Sequence, residues 1–137
     1  VAATASKFAD SLRNKIVIDI TNPFAAQPNN GESGAQVTAS IIGDGARVIA
    51  TFKTNFAATF ENPIDSTGEP RDVHYAGDDE AAMESVEDLI KGIGFKPVKC
   101  GTLAQAVVLD HMVPLMIRLD TTELDAQHLS SFRLIPG

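Results

Sequence analysis

Residues 15–23, which read K-I-V-I-D-I-T-N-P, constrain the fold of this chain more than any other stretch. A short β-branched run that ends at a proline is typical of a strand covered on both faces. Its polar end, Thr21-Asn22-Pro23, follows the carboxyl end of that strand. Because ligands of open α/β sheets lie just outside the carboxyl ends of strands, the same stretch predicts the position of a functional site.

Segments with helical spacing alternate with further β-rich runs along the chain. Helices are predicted at residues 1–13, 33–42, 80–91 and 102–119, and strands at 16–20, 47–52, 73–76 and 95–100, with a final short strand at 132–135. Pro97 favours an edge position for the fourth strand, and Pro114 is expected to kink the last helix. This alternation is typical of an α/β domain with a largely parallel sheet.

Composition and charge exclude several classes of protein. The chain has 137 residues, which fits one domain, and its formal net charge of -7 argues against nonspecific binding to nucleic acid. Cys100 is the only cysteine, so no intrachain disulfide can form and a reducing, cytoplasmic location is expected. No apolar run approaches the ~20 residues of a membrane span, so no membrane association is expected.

Four blocks of the sequence follow one another in an informative order. They read K-I-V-I-D-I-T-N-P at 15–23, R-V-I-A-T-F-K-T-N-F-A at 47–57, Y-A-G-D-D-E at 75–80 and G-F-K-P-V-K-C-G at 94–101. Together they resemble the NADPH-dependent deazaflavin-coenzyme (coenzyme F-420) reductase family, whose dinucleotide-binding domain also occurs in relatives of pyrroline-5-carboxylate reductase. The resemblance implies an NADP-dependent oxidoreductase that transfers a hydride between NADPH and a deazaflavin or flavin-like acceptor.

One departure from the family is large. The family begins with a strand and a G-x-G-x-x-G loop that binds the cofactor pyrophosphate, and this sequence has no such loop. The resemblance therefore implies the second part of a Rossmann-like, mostly parallel sheet flanked by helices. We assign residues 1–119 to this partial NADP-binding domain and residues 120–137 to a C-terminal tail. The alternative is a non-catalytic α/β binding or assembly module that has lost cofactor binding.

The missing first part has a consequence for assembly. In the intact family fold, the strand at residues 16–20 lies in the interior of the sheet, whereas here one of its edges would lose its neighbour. A bare apolar strand edge tends to be paired by another strand. We therefore expect a homo-oligomer or an association with the missing N-terminal half. The start at Val1 suggests a processed chain or a piece of a longer one.

Two loops at predicted strand ends supply the candidate cofactor-binding residues, which are Thr21, Asn22, Pro23, Phe52, Lys53 and Thr54. The resemblance implies that the first loop lies near the nicotinamide, although the residues alone favour a turn capped by Asn22. Lys53 stands where the family commonly has asparagine, which implies either a cation near an acidic ring or phosphate, or a different chemistry. An exposed lysine at a strand end is the alternative. Thr54 matches the family and could hydrogen-bond a ligand.

No catalytic residue and no metal ligand is assigned. The acidic residues at 78–80 are expected to cap a helix and to complement its dipole. His74, His111 and His128 lack the spacing of metal ligands, and the adjacent Asp110 and His111 cannot face each other on a helix. Hydride transfer between two cofactors depends mainly on the positioning of their rings, so an oxidoreductase needs no acid-base pair.

Overall fold

Within the part of the chain that the structure describes, helices and strands alternate as the sequence predicts. This computed structural model describes residues 2–23 and 31–137; Val1, predicted to begin the first helix, and residues 24–30, predicted as loop, lie outside the described residues. The elements are α1 (Ala2–Leu12), β1 (Ile16–Asp19), α2 (Gly34–Ile42), β2 (Arg47–Thr51), β3 (Asp72–Gly77), α3 (Glu80–Gly92), β4 (Lys96–Lys99) and α4 (Ala106–Arg118). A π-helix, Leu119–Leu124, follows α4, and 3-10 turns occur at Ala57–Phe60 and Leu103–Gln105.

The four strands form one sheet in the order β1-β2-β3-β4. β1 and β2 are parallel, β2 and β3 are antiparallel, and β3 and β4 are parallel. The predicted mostly parallel α/β sheet is therefore confirmed, and β4, which contains Pro97, lies at an edge as expected. Because the direction reverses between β2 and β3, the carboxyl ends of β1 and β2 lie at one end of the sheet and those of β3 and β4 at the other.

β1 lies at the opposite edge of the sheet. Among the described residues it pairs only with β2, with Ile18 opposite Ile49. Ile16 and Ile20, at the two ends of this strand, are exposed, as is Phe8 of the neighbouring α1. The open edge that the sequence predicts is thus present in the described chain.

The sheet packs helices on both faces. Successive side chains of a strand point to opposite faces, so neighbouring residues of β2 enter different cores. Ile49 packs with Val73 and Tyr75 against α3, whereas Val48 and Ala50 belong to the core beneath α2 and α4. The sheet is therefore packed between α3 on one face and α2 and α4 on the other.

The acidic residues before α3, Asp78 and Asp79, accept hydrogen bonds from backbone N–H groups. The Asp79 carboxylate caps α3 by accepting from the Ala82 N–H at 2.7 Å and also pairs with Arg47. The hydrogen bond from Arg47 lowers the pKa of Asp79. Asp78 accepts from the backbone N–H of Leu103 at 2.9 Å, ahead of α4. The expected capping role is confirmed for Asp79.

The predicted strand at residues 132–135 is wrong. The described residues after the π-helix form no strand, and side chains hold them in place instead of a sheet ladder. The N–H of Leu134 donates to the Asp72 carboxylate at 2.8 Å, and Arg71 donates to the Leu129 carbonyl at 2.8 Å. Because these bonds replace strand pairing, the tail packs on the domain as an irregular segment. The division of the chain at residue 119 stays a prediction.

Within the described residues, none of the helices combines the length and the apolar composition needed to span a membrane.

Candidate functional site

A buried cluster of charged side chains lies at the carboxyl ends of β1 and β2. The Lys53 ammonium is 2.8 Å from Asp110 Oδ1 and 3.6 Å from Asp19 Oδ1, and the three side chains are at most 2% exposed. Lys53 also donates to the carbonyl of Thr21. The interpretation of Lys53 as an exposed lysine is therefore wrong, because two buried carboxylates draw its side chain inward. We call Asp19, Lys53 and Asp110 the buried ion cluster.

Backbone and hydroxyl groups hold the two carboxylates of this cluster. Asp19 accepts from the N–H and the hydroxyl of Thr21 and, at 2.6 Å, from the hydroxyl of Thr38 in α2. Asp110 accepts from the Gly34 N–H at 3.0 Å, in the first turn of α2, where the helix dipole favours negative charge. No donor in the described part of the chain is aligned with its other oxygen, so the contact of that oxygen with Lys53 is an ion pair without good hydrogen-bond geometry. The buried ion cluster therefore ties the loop after β1 to α2 and α4.

A cleft of about 310 Å³ opens on the other side of the same loop. Its lining residues are Ile20, Asn22, Phe52, Asn55, Ala57 and Phe60. The rings of Phe52 and Phe60 lie with their centroids 5.2 Å apart. The cleft is at the small end of the usual range for small-molecule sites, and it has aromatic walls with a few polar groups, as such sites do.

Two of the residues that line this cleft, Asn22 and Asn55, are held by side-chain hydrogen bonds. The amide of Asn22 donates to the Lys53 carbonyl at 3.3 Å, and that of Asn55 donates to the Asp72 carbonyl at 3.1 Å. These bonds fix the orientation of both amides and turn each Oδ1 away from the carbonyl. Each Oδ1 is buried and has no hydrogen-bond partner among residues 2–23 and 31–137. Such an acceptor costs free energy until a donor reaches it.

The backbone of Phe52 is unusual for an aromatic residue. Its φ angle of 54° lies in the left-handed region, where residues with a side chain are uncommon. This conformation ends β2 and precedes Lys53, so that Phe52 lines the cleft while Lys53 enters the buried ion cluster. Non-glycine residues in this region often occur at functional sites, where the surrounding packing maintains the strain.

The side chain of Thr54 contacts a buried histidine. Its hydroxyl lies 3.0 Å from Nδ1 of His74, and both residues are buried. Burial lowers the pKa of His74. Thr54 therefore contacts β3 in the described structure and does not line the cleft.

The six predicted site residues come together in space but take different positions. Asn22 and Phe52 line the cleft, whereas Thr21 and Lys53 form or contact the buried ion cluster behind it. Thr54 bonds to His74, and the ring of Pro23 lies beside Gly34 at the start of α2. The turn after β1 is held by Asp19, while Asn22 reaches across to Lys53.

Sequence reasoning missed the two acidic members of the buried ion cluster as site residues. Asp19 is a single charge in an apolar strand, and Asp110 is a single charge in an apolar stretch of helix. The sequence did contain a signal, which was one isolated acidic residue in each of two apolar elements. Because buried charges are almost always paired, each of these residues indicated a buried partner of opposite charge. Asp110 is buried and His111 is exposed, so the two do not act as a pair.

The chain is similar to solved structures but to no protein-family model. No protein-family model matches the chain, and no curated protein matches it significantly. Among solved structures, a candidate F420-dependent NADP reductase from Arthrobacter sp. FB24 matches with a TM-score of 0.83 and 27% sequence identity, over 98% of this chain and 64% of that chain. A hypothetical protein from Sinorhizobium meliloti matches with a TM-score of 0.64 and 25% identity, over 77% of this chain and 55% of that chain.

The chain thus spans less than two thirds of the length of either of these proteins. The resemblance to coenzyme F-420 reductases that the sequence blocks carry is confirmed by this structural similarity. The chain is an α/β protein with a Rossmann-like sheet, similar over nearly its whole length to part of a candidate F420-dependent NADP reductase.

Proposed function

We propose that the chain is part of an NADP-dependent oxidoreductase that transfers a hydride between NADPH and a deazaflavin or flavin-like acceptor. The observation that carries this proposal is the cleft at the carboxyl ends of β1 and β2. Its aromatic walls suit a flat heteroaromatic ring, and Asn22 and Asn55 place polar side chains beside such a ring. The similarity to a candidate F420-dependent NADP reductase supports the same chemistry.

The residues of the site would act mainly by positioning. Phe52 and Phe60 would hold the nicotinamide ring by stacking and exclude water from it, while Asn22 would orient its carboxamide. Thr21, Pro23, Lys53 and Thr54 would support the loops from behind, since the ammonium of Lys53 anchors the Thr21 carbonyl. The bound cofactors would supply the hydride chemistry, so this role needs no acid-base residue from the chain.

A cytoplasmic location is part of the proposal. Cys100 is the only thiol in the sequence, and burial raises its pKa, which disfavours the reactive thiolate. A chain without disulfides whose thiol is poorly ionised fits a reducing compartment.

NADPH binding tests the proposed function directly. Titration of NADPH into the chain, followed by nicotinamide fluorescence, should show saturable binding at or below millimolar concentration. Phe60→Ala should weaken this binding about fivefold, because it removes one aromatic wall. Leu89→Ala is the matched control, since Leu89 and Phe60 are each 44% exposed and Leu89 lies on α3, away from the cleft. We expect it to leave the affinity unchanged.

The alternative function, a non-catalytic α/β binding or assembly module, also has a specific observation in its favour. The sequence lacks the glycine-rich loop that grips pyrophosphate, and the start of α2 offers no substitute. Asp110 already occupies the Gly34 N–H, and Ser33 accepts from the Gln36 N–H in a capping box with Gln36. Absence of NADPH binding at millimolar concentration would contradict autonomous cofactor binding and favour this module.

We also propose that the open edge of β1 pairs with another strand, from a second copy of the chain or from a half that carries the glycine-rich loop. For the isolated chain, light scattering should therefore show a dimer or larger species. Ile16→Lys should shift it to the monomer, because a charge on a strand edge opposes pairing. Ile135→Lys, at an exposed position in the C-terminal tail, should not. A stable and fully monomeric wild-type chain would contradict edge pairing between copies.

A further inference from the structure

A second concave site lies beneath α4, on the face of β3 and β4. It has a volume of about 320 Å³, and we call it the α4 groove. Its lining is mostly apolar, from Val98, Val108, Leu109, Met112 and Leu134. The groove is at the small end of the range for ligand sites, which suits a single ring better than a dinucleotide.

The outer wall of the α4 groove is anchored to the domain. The N–H of Leu134 donates to the buried carboxylate of Asp72 at 2.8 Å. The neighbouring Arg133 guanidinium bonds to Asp65 at 3.2 Å and to the Thr67 hydroxyl at 2.9 Å. Three bonds on two consecutive residues therefore hold this part of the tail, so the groove has a fixed wall.

Polar groups reach the α4 groove from His74, Lys99, Cys100 and Gln105, and His74 is the most deeply buried of these residues. The residue is only 9% exposed, and it belongs to the groove lining. Nδ1 lies 3.0 Å from the Thr54 hydroxyl, and no described residue forms a hydrogen bond with Nε2. A neutral imidazole has one donor and one acceptor nitrogen, and the Thr54 hydroxyl can satisfy Nδ1 in either form. Nε2 can therefore either donate a hydrogen bond to a ligand in the groove or accept one from it.

We propose that the α4 groove binds a small alcohol with an apolar body, with phenol as the simplest example, whose hydroxyl pairs with Nε2 of His74. A hydroxyl group both donates and accepts, so it fits either tautomer of the histidine. A carbonyl fits only one tautomer. An anion is disfavoured because the chain is acidic and the Lys99 ammonium beside the groove is already paired with Glu80 at 2.8 Å. This site is separate from the cleft beside the buried ion cluster and does not depend on the proposed hydride transfer.

The test is a titration of phenol into the full chain, with the His74 ring resonances followed by NMR. We expect saturable shifts of the His74 ring signals at millimolar phenol. Toluene, which has a similar ring but no hydroxyl, should bind about fivefold more weakly, since it cannot make the hydrogen bond.

Two variants of α4 locate the binding. Val108→Trp should fill the groove and abolish the shifts, whereas Leu115→Trp should leave them unchanged. The two residues are matched, since both are 52% exposed and lie on the same helix, and Leu115 does not line the groove. Comparison with Leu115→Trp also separates blocking of the groove from a general effect of a tryptophan on α4.

Several outcomes would overturn the proposal. These are an absence of His74 shifts with phenol, equal affinity for phenol and toluene, or unaltered phenol binding by Val108→Trp. A further contrary result is broadening of the α4 signals that grows with protein concentration while phenol fails to bind. A second copy of the chain would then cover the groove.

Discussion

Lys53→Met is expected to lower the free energy of unfolding by about 3 to 5 kcal/mol, since breaking a buried ion pair leaves charges without a partner. Methionine keeps the length of the side chain but removes the ammonium. Asp19 and Asp110 would then remain buried without a cation, and the Thr21 carbonyl would lose its donor. Urea denaturation of the variant and the wild-type chain measures the difference.

The control for this prediction is Lys91→Met. Lys91 pairs with Glu87 across one turn of α3 on the surface, where solvent screening leaves such an ion pair little effect on stability. The addition of Asp110→Asn to Lys53→Met should restore part of the lost stability, because it removes one of the two uncompensated charges. If Lys53→Met had no more effect than Lys91→Met, the buried ion cluster would not stabilise the fold.

Gly77→Ala is expected to lower the free energy of unfolding by about 1 to 3 kcal/mol, because it overpacks the core between β3 and α3. A Cβ at this position would lie 2.9 Å from the sulfur of Met83 and 3.3 Å from the Val48 carbonyl oxygen, and would overlap the end of Ile49. Thermal or urea denaturation measures the loss. Gly92→Ala is the matched control, since nothing lies within 4 Å of a Cβ added there.

The two glycine variants should differ in stability and agree in ligand binding. Gly92→Ala should be neutral or slightly stabilising, because alanine favours a helix over glycine. Under conditions in which Gly77→Ala is folded, its affinity for NADPH should equal that of the wild-type chain, since Gly77 lies at the end of the sheet away from the cleft. Equal stability of the two variants would mean that the core yields to the added methyl group.

The local pattern of the sequence predicts the elements of this fold but not the direction of every strand. Each strand is a β-branched run bounded by turn residues, so its position follows from near neighbours alone. The antiparallel step from β2 to β3 depends on the connection between them, which contains one 3-10 turn and no α-helix. Parallel neighbours need a long crossover, usually a helix, and the lack of one at residues 52–71 was the only local signal of the reversal.

The sequence predicts where the two candidate loops lie but not how their side chains are arranged, and their role in cofactor binding stays a prediction. The loops meet at one end of the sheet because parallel strands bring their carboxyl ends together. The burial of Lys53 could not be predicted, since its partners come from distant parts of the chain and only the packing of α4 brings Asp110 to it. The left-handed backbone of Phe52 was equally hidden, because an aromatic residue rarely adopts it.

Because the strand direction reverses between β2 and β3, substitutions at the two ends of this small sheet are expected to have different effects. Residues near the carboxyl end of β3, such as Gly77 and Asp79, are expected to affect the stability of the fold, and neither lines the cleft. The lining of the cleft, at the other end, comes from Ile20, Asn22, Phe52, Asn55, Ala57 and Phe60. During divergence, descendants of such a chain could exchange one ligand for another by changes at the cleft end alone, while the opposite end keeps the domain folded.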